Sequence, residues 1–265
     1  VTRRFVSFPC EDETLVATLD EAEGASGLLI LGGGNEVRSG PFGSLSRLAA
    51  RVARSGYPVW RFDRRGVGDS SGDNCGFRDA GADLGAAIRA FRREAPRVRR
   101  VVAFGNCDAA SALMLVSGGG CDALVLANPW TFESDDAALP PAAIRARYSE
   151  KLRNPRELAR LVTGGVSYAS LLRGMVAALR PPPPPTPLIE DMAAGLARYH
   201  GAVEILLAGR DRTAQAFARS WPENDDRIMK REQADHAFSA PEDADWLAER
   251  LLVVLHEQAR QLDMG

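Results

Sequence analysis

The run Phe104-Gly105-Asn106-Cys107-Asp108-Ala109-Ala110 sets a cysteine between two small residues, each two positions away. An apolar strand pattern runs into Gly105, and a helical pattern starts after Cys107. A nucleophile on such a strand-to-helix turn sits in strained backbone, and the residues two positions to either side crowd one another. Gly105 and Ala109 would relieve that crowding. The turn would lift the sulfur clear of the sheet at a helix amino end, where the dipole favours negative charge. The chemistry such a residue supports is acyl transfer through a thioester.

That chemistry needs a base, and the chain has three histidines, His200, His236 and His256. His256 falls inside an apolar helical run, and His200 precedes a strand, at the end of the sheet opposite to the chemistry. His236 follows the strand expected over 227–231 and precedes the last helix, so it is read as the base. An orienting acid is expected on a loop after an earlier strand, and Asp211 ends the strand at 203–208. Asp235, beside the histidine, would point elsewhere in an extended loop and is set aside.

Gly32-Gly33-Gly34-Asn35-Glu36-Val37-Arg38 follows the strand at 27–31. Neither a phosphate-loop nor a dinucleotide glycine pattern continues beyond the triplet. It is read as an oxyanion loop, with Asn35 first and Gly34 next as donors, joined by the N–H of Asp108. Glu36 and Arg38 are close enough in sequence to contact the substrate or the thiol, or to form a solvated charge pair. In Asp63-Arg64-Arg65-Gly66-Val67-Gly68-Asp69-Ser70, Asp63 and Arg64 are expected to brace a turn.

These loops need a sheet to hold them. Apolar, β-branched runs at 4–8, 15–19, 27–31, 58–62, 100–104, 123–127, 203–208 and 227–231 predict strands. Helical periodicity at 45–54, 80–93 and 244–262 alternates with them. The first two strands predict an antiparallel edge, and the rest predict βαβ units in a mainly parallel sheet flanked by helices. The stretch 130–187 breaks the alternation. Helical patterns at 141–152, 155–162 and 168–179 precede the prolines at 181–185, so it is read as a helical cap between core parts 1–129 and 188–265.

The net charge of −2 supplies no reason to expect nucleic acid or an anionic membrane surface as partner. The four cysteines have no metal-type spacing and are too few for a disulfide framework in a chain this long. No metal or cofactor is expected. No apolar signal core or run of 18 residues is visible, which makes a reducing cytoplasm the expected compartment and membrane insertion unexpected.

Asp63-Arg64-Arg65-Gly66-Val67-Gly68-Asp69-Ser70 matches the D-x-R-G-x-G-x-S signature of α/β-hydrolases, and the cysteine elbow resembles that of dienelactone hydrolase, which uses a Cys-His-Asp triad. More closely, Gly33-Gly34-Asn35-Glu36-Val37-Arg38, the elbow from Phe104 to Ala112, Leu126-Ala127-Asn128-Pro129-Trp130 and Ala142-Ala143-Ile144-Arg145-Ala146-Arg147-Tyr148 are similar to the exosortase A system-associated hydrolase type 1 family. Ala109 departs from the usual glycine of the elbow, and the histidine that many hydrolases carry before the oxyanion glycine is absent. The resemblance implies an α/β-hydrolase fold and an association with bacterial exopolysaccharide and protein-sorting loci. The reading is an esterase or thioesterase acting on a small acyl substrate. Two alternatives stay open: an acyltransferase with the same triad, and a catalytically silent hydrolase-fold binding partner.

Overall fold

The computed structural model describes residues 2–132 and 186–264. Strands β1 (Arg3–Cys10) and β2 (Glu13–Asp20) form an antiparallel hairpin with Arg3 opposite Asp20 and Cys10 opposite Glu13. β1 buries Val6, Phe8 and Cys10 and turns Phe5, Ser7 and Pro9 outward, the period of two of an edge strand with one wet face. β2 pairs antiparallel with β4 (Val59–Phe62). The remaining strands are parallel: β3 (Ser26–Leu31), β5 (Arg100–Asn106), β6 (Ala123–Ala127), β7 (Ala202–Ala208) and β8 (Ile228–Arg231). The eight-stranded order is β1-β2-β4-β3-β5-β6-β7-β8.

β3, β4 and β6 are buried along their whole length because helices cover both faces. On one face, α1 (Ser44–Arg54) and the last helix, Pro241–Asp263, pack over Leu28, Ile30, Val102, Phe104 and Val125. On the other, α2 (Gly81–Glu94), α3 (Asp108–Leu115), α4 (Pro187–Ala197) and α5 (Arg212–Ser220) cover the alternate set Leu29, Leu31, Ala103, Leu124 and Leu126. The last helix, α6, starts at Pro241 with Glu242 and Asp243 in its first turn, so its amino end carries the proline and the negative charge that suit it.

The expected strands match the observed ones to within two residues at every end, and the edge hairpin and parallel remainder are as read. α4 was not anticipated. It starts directly after the prolines with Pro187 at its first turn and buries Leu188, Ile189, Met192 and Leu196. The helical patterns at 141–152, 155–162 and 168–179 and the proline run lie outside the described residues.

Apolar residues of α2 at Leu84, Ala87, Ile88 and Phe91 make the stripe that faces the sheet. Phe91 is fully buried and stacks on Trp60 with ring centroids 5.7 Å apart. Phe91→Ala is expected to destabilise the fold by about 3–5 kcal/mol, because the cavity lies under a rigid sheet. A urea midpoint unchanged from wild type would contradict that packing.

Candidate functional site: a cysteine, a histidine and an aspartate at one sheet edge

The carboxyl ends of the parallel strands carry the loops of the site, the usual position for ligands in such sheets. β5 runs through Gly105 and Asn106 into Cys107, whose backbone has φ 62° and ψ −128°. A non-glycine residue there stores on the order of 1–3 kcal/mol of strain unless its surroundings hold it. They do: the Cys107 N–H donates to the Ala127 carbonyl at 3.0 Å, and the Cys107 carbonyl accepts from Ala110 and Trp130 at 3.1 and 3.2 Å. A Cβ on Gly105 would come within 2.7 Å of the Ala109 carbonyl carbon and 2.8 Å of the Ala110 nitrogen. Both are helix backbone and cannot yield. Gly105→Ala is therefore expected to destabilise the protein by about 1–3 kcal/mol and to depress any activity through the displaced turn. Thermal unfolding beside activity checks it, and a variant with wild-type values in both would refute it.

Asp211 follows β7 and caps α5, its Oδ2 accepting from the Ala214 N–H at 2.9 Å. The same oxygen lies 3.0 Å from His236 Nδ1. His236, on the loop after β8, lines the same cleft as Cys107. The bond to Asp211, then the neighbouring Cys107, push the imidazole up to about 10 against the opposing effect of burial. Its side chain is still 41% exposed, so a substrate can reach it. Asp235 turns away, accepting from the N–H groups of Ala237 and Ser239 at 3.1 and 2.9 Å and from the Ser239 hydroxyl. His200 is exposed just before β7, and exposed His256 on α6 meets the Tyr57 hydroxyl at 3.4 Å.

Two asparagines, without a role in the sequence reading, pin the histidine loop. Asn106 and Asn128 donate from Nδ2 to the His236 carbonyl at 3.0 and 3.1 Å. Asn128, fully buried, also donates to Asn106 Oδ1 at 2.9 Å and accepts the Ala208 N–H at 2.8 Å. This amide pair ties the ends of β5, β6 and β7 to the histidine backbone. The signal was there: each asparagine is a polar residue at the carboxyl end of an apolar strand, one before the cysteine and one before Pro129.

The glycine loop after β3 lies against the cysteine turn. An ideal Cβ on Gly33 would approach Asn106 O and Asp108 Oδ1 to 2.8 Å, so a side chain there would push the loop off the turn. The Gly34 N–H donates to Asp108 Oδ1 at 2.7 Å and is thereby committed, which corrects its reading as an available oxyanion donor. The backbone N–H groups of Asn35 and Asp108 have no acceptor among the described residues; Asp108 opens α3, where first-turn amides lack intrahelical partners. The Asn35 side chain accepts from Asn74 Nδ2 at 2.7 Å.

Glu36 lines the same cleft as Cys107 and His236, a space of about 450 Å³. Desolvation raises its carboxyl above the ordinary range; His236 opposes that rise and Asp108 adds to it. Arg38 does not line the cleft, which corrects its reading as a substrate contact. Its backbone N–H reaches Asp63 Oδ1 at 2.6 Å, its Nε reaches Thr18 at 3.1 Å, and its Nη1 pairs with Asp63 and with Asp69. Asp63 is completely buried, and a buried carboxylate left unpaired costs far more than a surface arginine gains elsewhere. Asp63 braces its turn as expected, but Arg64 instead donates to the Gly34 carbonyl and lines the cleft. Among the described residues, no cluster of His, Cys, Asp and Glu could hold a metal ion, and no helix is long and apolar enough to cross a membrane.

Known proteins share this architecture. Residues 28–250 match the model of the alpha/beta hydrolase family. No curated protein matches the sequence. The esterase Pf2001 of Pyrococcus furiosus superposes with a TM-score of 0.64 at 16% identity, over 97% of this chain and 92% of that one. Est1E of Butyrivibrio proteoclasticus, solved with ferulic acid bound, gives 0.59 at 15% identity over 97% and 99%. A putative hydrolase from Agrobacterium vitis gives 0.54 at 20% identity over 96% and 98%. With the family model covering most of its length and the sheet order complete from hairpin edge to β8, this chain belongs to the alpha/beta hydrolase family.

Proposed function

We propose that the protein cleaves an ester or thioester through an acyl-Cys107 intermediate. The observation that carries this reading is that Cys107 and His236 line one cleft while Asp211 holds the histidine from behind, with 3.0 Å between His236 Nδ1 and Asp211 Oδ2. Nδ1 is turned to the carboxylate, so the other ring nitrogen is left for the thiol. In the reactive form the thiol proton already rests on His236 as an imidazolium, and the sulfur adds to the substrate carbonyl as its anion. The negative oxygen is held by the N–H groups of Asn35 and Asp108. The imidazolium then gives its proton to the leaving oxygen or sulfur as the carbon–heteroatom bond breaks. Water, deprotonated by His236, attacks the thioester; the acid leaves and the thiol is restored.

Glu36 is a substrate-facing residue of this site. The segment 130–187 acts as a cap. Its ends are held together where the Thr186 hydroxyl reaches the Thr131 carbonyl at 3.5 Å, and Trp130 lines the cleft, so the excursion begins and ends beside the site. The motif resemblance supports assigning the protein to the exosortase A system-associated hydrolase type 1 group, with a substrate drawn from bacterial exopolysaccharide or protein-sorting chemistry.

The test is a panel of p-nitrophenyl esters and acyl thioesters, with intact mass taken during turnover. Turnover with an acyl adduct on Cys107 is the expected result. Adduct formation whose decay requires an added amine or alcohol would convert the assignment to an acyltransferase. No adduct and no turnover across the panel would overturn it in favour of a silent binding partner.

A further inference from the structure

Arg64 is a buried charge with no carboxylate partner among the described residues. It is only 5% exposed. Its guanidinium makes one hydrogen bond, from Nη2 to the neutral Gly34 carbonyl, and among the described residues no carboxylate pairs with it. The arginines around it are different. Arg61 is held by Asp20, Arg65 by Asp83 and Glu11, and Arg38 by Asp63 and Asp69. Those three have carboxylate partners; Arg64, which lines the cleft with Cys107 and His236, has none among the described residues. A guanidinium carries five N–H donors in a rigid fork suited to two oxygens of one anion, and a single carbonyl uses one of them. Removing such a group from water is costly unless an anion is supplied.

We propose that Arg64 receives an anionic group, a carboxylate or equivalent oxyanion, borne by the substrate that Cys107 attacks. The proposal rests on the hydrolase reading and adds the substrate class to it. Glu36 and Asp108 line the same cleft, yet among the described residues neither carboxylate pairs with Arg64. The spacer between the anionic group and the scissile carbonyl is short. Gly34, whose carbonyl holds Arg64, is bonded through its N–H to Asp108, next to Cys107, and a Cβ on Gly33 would lie 3.7 Å from the Cys107 Cβ. Subsite and sulfur thus flank a single loop.

Two matched pairs of esters test this at low ionic strength. p-Nitrophenyl butyrate against mono-p-nitrophenyl glutarate places the charge on the acyl group. Phenyl acetate against 4-acetoxybenzoate places it on the leaving group. The wild type is expected to favour the anionic member of one pair by about 10–100-fold in kcat/KM, the range of a charge-assisted hydrogen-bonded contact, and the pair that responds identifies which side carries the charge. Arg64→Gln is expected to bring that ratio close to one, and Arg64→Lys to retain part of it. Loss of the bond to Gly34 slows both members of a pair alike, so the ratio isolates the contact with the anion. No preference in either pair, or a preference that survives Arg64→Gln, overturns the proposal while leaving the hydrolase reading intact. Calorimetry on wild type supplies a reading that needs neither turnover nor a variant. Glutarate is expected to bind and neutral glutaramide not to, and equal binding, or none by either, also overturns it.

Discussion

Cys107→Ala is expected to lower kcat/KM toward activated esters or thioesters by at least about 1000-fold, to the level left by binding and oxyanion contacts alone. The magnitude follows from what is removed. No other group in the cleft supplies a sulfur at the apex of the strand-to-helix turn, and His236 without it activates only water in a geometry built for the thiol. The fold should survive. Alanine keeps the Cβ, and the bonds that hold the turn run through the backbone of residue 107. The other thiols make the experiment selective. Burial pushes Cys10 and Cys121 up to about 11 and about 12, which makes them poor nucleophiles at neutral pH. Cys75 is exposed, so Cys75→Ala is the needed control and should stay within about twofold of wild type. Equal rates for wild type and Cys107→Ala, in protein of unchanged melting temperature, would refute the assignment.

Asp211→Asn should have the next largest effect, about 100- to 10,000-fold in kcat, together with a change in pH dependence. The hydrogen bond to Asp211 is the main reason that the His236 imidazolium persists up to about 10 instead of the ordinary 6.5. Below that value the ring is protonated and can donate to the leaving group; above it the proton is gone. Wild-type kcat/KM should therefore hold through the neutral range and fall on the alkaline side as pH passes about 10. Asparagine keeps an acceptor for the Ala214 N–H that Asp211 caps, so α5 is preserved, but it removes the negative charge that holds the proton. The alkaline limb should move to lower pH. A pH–rate profile on both proteins decides the matter: a slowed variant with its limb unmoved would mean that Asp211 is only a helix cap.

Much of this architecture is legible from local pattern. β6 is a continuous apolar run with a turn at each end, and β1 alternates; both periods are written in adjacent residues. The cysteine turn is equally local, because the crowding that demands a small residue at 105 acts between positions a few residues apart. α4 escaped because the five prolines before it hide a helix start that only Pro187 marks.

Arg38 and Arg64 show where local pattern stops. The sequence sets a cation on the glycine loop and another on the turn after β4, and nothing in their spacing says which faces the substrate. The sheet decides it by bringing the buried carboxylate of Asp63 under the loop, which captures Arg38 and leaves Arg64 against the Gly34 carbonyl. Asn106 and Asn128 are alike in this: their meaning lies in a carbonyl more than a hundred residues away. What the chain by itself determined is the order of strands and helices and the candidate nucleophile, base and acid, since periodicity and turn sterics act between neighbours. Which donors stay free, which arginine is left uncompensated and which backbone groups pin the histidine were decided only by tertiary structure, because buried charges and hydrogen bonds take the partners that folding brings within about 3 Å of them.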